Sequence, residues 1–107
     1  MKETQWAGDS LEVLKEFPKT VRVQLGQEIQ RIQRGREPKD WKPMKSVGPG
    51  VREIRVKYRG EYRAFYVTNI GNQIIILHAF RKKTRTTAKK DIELARTRLK
   101  VAKKEMT

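Results

Sequence analysis

Apolar residues recur at helical spacing in the first third of the chain and alternate with polar ones in the second half. In "PKTVRVQLGQEIQRIQRG", Val21, Leu25, Ile29 and Ile32 form one stripe, and Gly35 stands where a helix C-terminal cap belongs. Just before it, "GDSLEVLKEFP" places Asp9 three positions ahead of Glu12, the spacing of a capping box. Leu11, Val13 and Leu14 then turn inward until Pro18 stops the segment. The pattern predicts two antiparallel helices joined at Phe17 and Pro18.

Residues 36–50, "REPKDWKPMKSVGPG", carry Pro38, Pro43, Gly48, Pro49 and Gly50. They read as a connecting loop with a short edge strand at Met44 to Val47, and Trp41 as a loop anchor over the core. Beyond the loop the period changes to two. "VREIRVKY", "EYRAFYVTN" and "NQIIILHAF" are separated by "RG" and "IGN", turns rich in Gly and Asn, and predict an antiparallel meander. The third segment is the most apolar and should lie centrally or well covered.

In "TTAKKDIELARTRLKVAKKEM", Ile92, Ala95, Leu99, Ala102 and Met106 are spaced by three and four among Lys and Arg, which predicts a basic amphipathic helix packed on the sheet. The residues up to Trp6 offer a further edge strand. Together these elements predict a single α+β domain over residues 1–107: an N-terminal helical hairpin, a three- to five-stranded, mainly antiparallel sheet and a C-terminal helix.

Charge changes this picture most. Twenty-six Lys and Arg against twelve Asp and Glu give a net +14 over 107 residues. Such an excess points to a densely negative partner, with nucleic acid first, and exceeds what solubility requires. A membrane surface is a poorer partner, because no helix carries bulky apolar anchors. The absence of cysteine excludes disulfides, thiolate metal sites and cysteine nucleophiles. With one histidine and scattered carboxylates, neither a catalytic zinc nor a calcium loop is expected, and no cofactor is implied. "MKETQWAGDS" lacks the apolar core of a signal peptide and no apolar run approaches the roughly 18 residues of a membrane span, so a cytoplasmic protein is expected.

Strand alternation then decides which charges share a surface. In the first strand of the meander Ile54 and Val56 take one face while Glu53, Arg55 and Lys57 take the other. In the second, Tyr62, Ala64 and Tyr66 alternate with Arg63, Phe65 and Val67. Pairing about the "RG" turn can bring Arg55 and Arg63 onto one exposed face, with His78, Phe80, Lys82 and Lys83 nearby at the end of the third strand. A concave basic surface with aromatic rings among the charges suits single-stranded nucleic acid. Taken singly, each residue also has an ordinary explanation. Arg55 and Arg63 read as solvated or ion-paired strand residues, His78 as a hydrogen-bonded structural histidine, Phe80 as a core or rim aromatic, and Lys82, Lys83 and Arg85 as a turn charge run.

The order of elements, "DWKPMKSVGPGVREIRV", the "YR" opening the middle strand, and "ILHAFRKKT" followed by "DIELARTR" resemble the RelE/HigB toxin superfamily, in its phage-derived, HigB-like branch. The resemblance covers nearly the whole chain. It implies a small α+β domain with a twisted, mainly antiparallel sheet. It also implies the toxin of a type II toxin–antitoxin system, a ribosome-dependent, metal-independent endoribonuclease cutting mRNA in the 30S A site. A cognate antitoxin, typically of helix-turn-helix type, would neutralise it and carry the complex to operator DNA.

On that resemblance Arg63, which follows a Tyr in "EYRAFY", takes the catalytic arginine position, and Arg55 in "EIRV" the second basic position. His78, Phe80, Lys82 and Lys83 fall in the "HAFRKK" stretch, which lacks the His-Tyr ending found in some relatives. Lys45, Lys57, Phe80, Arg81 and Arg85 are expected to contact RNA. The general base is expected to be Glu53, His78 or a lysine of the cluster, and the acid His78 or Lys82. The competing expectation is a non-catalytic basic nucleic-acid-binding protein whose lysines merely coat phosphates.

Overall fold

The computed structural model describes residues 2–105. Its elements run β1 (Glu3–Trp6), α1 (Ser10–Lys15), α2 (Lys19–Gln33), β2 (Trp41–Pro43), β3 (Arg52–Lys57), β4 (Glu61–Val67), β5 (Gln73–Lys82) and α3 (Lys89–Glu105). The fold is α+β, as the pattern of periods predicts. The five strands form one sheet in the order β1-β5-β4-β3-β2. All neighbours are antiparallel except β1, which runs parallel to β5.

Both faces of the sheet are covered. On one, Val21, Leu25, Ile29 and Ile32 of α2 and Leu14 of α1 pack with Ile54, Val56, Tyr62, Ala64, Tyr66, Ile74 and Ile76. On the other, Ala95 and Leu99 of α3 pack with Phe65, Val67, Ile75, Leu77, Met44, Val47 and Val51. The predicted stripes of α2 and α3 are therefore the buried ones, as a 3.6-residue period requires. Met106, the last residue of the predicted α3 stripe, lies outside the described residues.

Two local expectations are corrected. Asp9 does not cap α1: its φ/ψ of −94°/15° is not the extended geometry of a capping residue, and its side chain makes no cap hydrogen bond. Its carboxylate instead accepts a bond of 2.6 Å from Arg98 Nη2 on α3, a charged pairing stronger than a neutral cap. The short edge strand lies at Trp41–Pro43 rather than Met44 to Val47. Met44 and Val47 are drawn into the core under α3, and the chain turns there through a Val47 N–H to Met44 carbonyl bond. Pro43 is tolerated because β2 is an edge strand.

The "RG" turn closes between Lys57 and Glu61, with Arg59 at φ 50° and Gly60 at φ 139°. The second of these values is accessible to glycine and to little else. β5 also runs two residues beyond the predicted Phe80, so Arg81 and Lys82 are strand residues with defined faces.

Candidate functional site: a buried arginine between two carboxylates

Register brings Arg55 and Arg63 directly opposite each other on β3 and β4. Like charges so placed repel, and carboxylates offset the repulsion. Arg63 Nε lies 3.4 Å from Glu53 Oε1, and its Nη2 donates to Glu61 Oε1 at 2.7 Å. Nη1 reaches the Tyr62 carbonyl at 3.4 Å. Arg55 Nε turns to Asp40 Oδ1 at 3.3 Å. The face expected to be exposed is closed at this point, since Arg63 is only 3% exposed. Arg63 is hemmed in by Glu53, Glu61 and the Tyr62 carbonyl, with Arg55 and Phe80 beside it on the neighbouring strands.

Glu53 has no exposed surface, and its carboxyl is pushed above the ordinary value: burial outweighs the pull of Arg63, Lys42, Lys82 and Arg55 around it. Lys42 Nζ stands 3.9 Å from Glu53 Oε1. Glu61, at the start of β4, has the opposite tendency, because its bond to Arg63 holds its carboxyl below the ordinary value. Lys57 and Lys82 flank Glu61 in register on the neighbouring strands.

The end of β5 joins this site through a bulge. Pairing with β4 shifts between Phe65 and Tyr66, so that Phe65 faces His78 while Tyr66 faces Ile76. Past the shift His78, Phe80 and Lys82 belong to the face of Arg63, which pairs with Phe80 itself. His78 is 7% exposed and stacks on Phe80, with centroids 5.1 Å apart and planes at 18°. Its Nε2 lies 2.7 Å from Asp91 Oδ1 in the first turn of α3. A carboxylate only accepts, so Nε2 carries the proton toward Asp91.

The remaining expected residues divide. Lys57 is exposed on the site face, and Lys82 is half-buried beside Glu61. Lys83 and Arg85 are exposed in the segment after β5. Arg81 pairs with Tyr62 and lies over its ring at 5.8 Å, which puts it on the opposite face from Arg63. Lys45 is exposed in the turn after β2, on the rim of a cavity of about 540 Å³ that Trp41, Pro43 and Arg52 also line. The same cavity corrects the view of Trp41, which is a β2 residue with the Arg52 guanidinium 4.1 Å from its ring.

Sequence reasoning missed Lys42, Glu61, Asp40 and Asp91. Lys42 was hidden because its strand was expected elsewhere. Glu61 stands two residues before Arg63, the spacing of same-face neighbours, and that signal was available.

The family model of the phage-derived Gp49-like proteins (DUF891) matches residues 12–100, a stretch containing every site residue named above. The chain belongs to that family. Gp49-like proteins are associated with toxin–antitoxin toxins of the RelE/HigB type. Among curated proteins none is similar enough to match. In this Gp49-like chain, no helix of the described residues is long and apolar enough to cross a membrane.

Proposed function

We propose that this Gp49-like protein is the toxin of a type II toxin–antitoxin pair, of the HigB-like branch, and acts as a metal-independent endoribonuclease on mRNA in the ribosomal A site. A cognate antitoxin would neutralise it. The observation that carries this reading is the Arg63 guanidinium, fixed by Glu53 on a sheet face that also presents Lys57 and Lys82.

In this reading the RNA 2′-hydroxyl attacks the adjacent phosphorus, the bond to the 5′-oxygen breaks, and the products are a 2′,3′-cyclic phosphate and a 5′-hydroxyl. Arg63 takes the charge developing on the phosphorane, a task suited to a planar, pre-oriented fork of donors. Glu53, with no exposed surface, orients that fork rather than meeting RNA. His78, tied to Asp91 and stacked on Phe80, holds the end of β5 in place. Phe80 is buried in the cluster under α3 and is a core aromatic rather than the base-stacking ring expected from the sequence. The proton transfers then fall to Lys82 and Lys83, the members of the cluster that reach solvent.

The deciding experiment maps the ends of RNA cut by the purified protein, with and without ribosomes and with a metal chelator present. Cyclic-phosphate and 5′-hydroxyl ends, lost in Arg63→Lys, support the reading. Uncut RNA on programmed ribosomes, together with no growth arrest on induction, overturns it.

The burial of Arg63 favours a second reading, a non-catalytic basic RNA-binding protein. It predicts binding losses spread over many lysines with a steep salt dependence and no privileged residue.

A further inference from the structure

The Arg63 guanidinium bonds to the Tyr62 carbonyl and Glu61, and its Nε lies beside Glu53 without a hydrogen bond. These three neighbours differ in how firmly they are held. Glu53 is sealed in the core and the Tyr62 carbonyl is backbone, whereas the Glu61 side chain is 41% exposed at the mouth of the site. Glu61 pairs in register with Lys57 on one side and Lys82 on the other, so its carboxylate lies among three cations. A phosphodiester matches this environment. Like a carboxylate it carries a single negative charge and presents two oxygens to a guanidinium.

We propose that Glu61 occupies a phosphate subsite in the free protein, and that an RNA phosphodiester binds by displacing it from Arg63 Nη2, with Lys57 and Lys82 completing the subsite. The proposal rests on the reading of Arg63 as the residue that meets RNA. It also removes the difficulty raised by the burial of Arg63. The guanidinium is covered by a side chain that is itself 41% exposed and can swing into water as the arriving phosphate takes over the charge on the buried Arg63. Glu61 is then a built-in competitor, and binding is weakened by the fraction of time it holds the site.

The test uses the full-length protein and a fluorescent 2′-O-methyl oligoribonucleotide, which lacks the attacking hydroxyl and stays intact. Glu61→Gln and Glu61→Ala are expected to bind it on the order of 3- to 10-fold tighter than wild type. Glu12→Gln, which removes an equal charge from an exposed position on α1, is expected to leave affinity unchanged. In an Arg63→Lys background the Glu61→Ala gain should largely vanish. Unchanged or weaker binding by both Glu61 variants overturns the proposal, and so does an equal gain from Glu12→Gln. A protein that shows the Glu61 gain but cleaves no RNA on ribosomes keeps the subsite while losing the nuclease reading.

Discussion

Leu77 and His78, consecutive in the chain, lie on the same side of the sheet. Leu77 packs in the cluster under α3, and His78 pairs with Phe65 of that cluster and bonds to Asp91 of α3. The bulge between them reverses the alternation of everything that follows. Without it, His78, Phe80 and Lys82 would continue the parity of Ile74 and Ile76 and point toward α1 and α2. Ala79 would then pair with Arg63, and Arg81 with Glu61.

Arg98 braces this bulge, since its Nη1 donates to the Leu77 carbonyl at 3.0 Å while Nη2 holds Asp9 at 2.6 Å. Arg98→Ala is expected to cost about 1–3 kcal/mol in urea denaturation, as a buried acceptor loses its donor. Amide resonances of residues 77–82 should shift with it. A variant of wild-type stability, with those resonances unmoved, would show that the bulge stands without the brace.

Arg63 is expected to tolerate no substitute in catalysis. Arg63→Lys keeps a positive charge near Glu53 but cannot span Glu53 and Glu61 together, so cleavage should fall on the order of 100-fold or more, with an unchanged circular dichroism spectrum. Primer extension on ribosome-bound message provides the measurement.

Glu53 should make stability depend on pH in the direction opposite to a usual ion-paired carboxylate. Its folded carboxyl lies above the ordinary value of 4.5, so the folded state holds the proton more firmly than the unfolded chain. The contribution is therefore favourable at low pH and is lost as pH rises from about 4.5 through the raised value. Glu53→Gln should remove this loss, giving a urea midpoint at pH 7 equal to or above wild type. A clear drop at pH 7 would show that the buried ion pair with Arg63 is net stabilising.

Asp91→Ala strips the partner from a buried imidazole nitrogen and is expected to cost about 1–3 kcal/mol. The loss should appear as faster amide exchange in the first turns of α3, which this pair ties to β5. The Nε2–H proton of His78 is expected to be protected enough to detect by NMR in the wild type and to lose that protection in the variant.

Much of the scaffold was legible because short-range periods report it. The stripe Val21, Leu25, Ile29, Ile32 and the alternation in "VREIRVKY" and "EYRAFYVTN" each involve residues a few positions apart, and the "RG" turn fixes the register that sets Arg55 against Arg63. The capping-box spacing of Asp9 and Glu12 misled for the same reason. A local pattern cannot register a competitor 89 positions away, and Arg98 is that competitor.

By itself, then, the sequence determined the order and type of the elements, the excess of positive charge, and the pair of arginines on facing strands, since all are properties of composition or of near neighbours. Only the tertiary structure decided that β1 runs parallel beside β5, that a bulge at Leu77 turns His78, Phe80 and Lys82 toward Arg63, and that Arg63 is closed between Glu53 and Glu61. Those outcomes depend on which distant groups compete for the same hydrogen bonds and the same buried space, and such competition exists only once the strands and α3 are packed together.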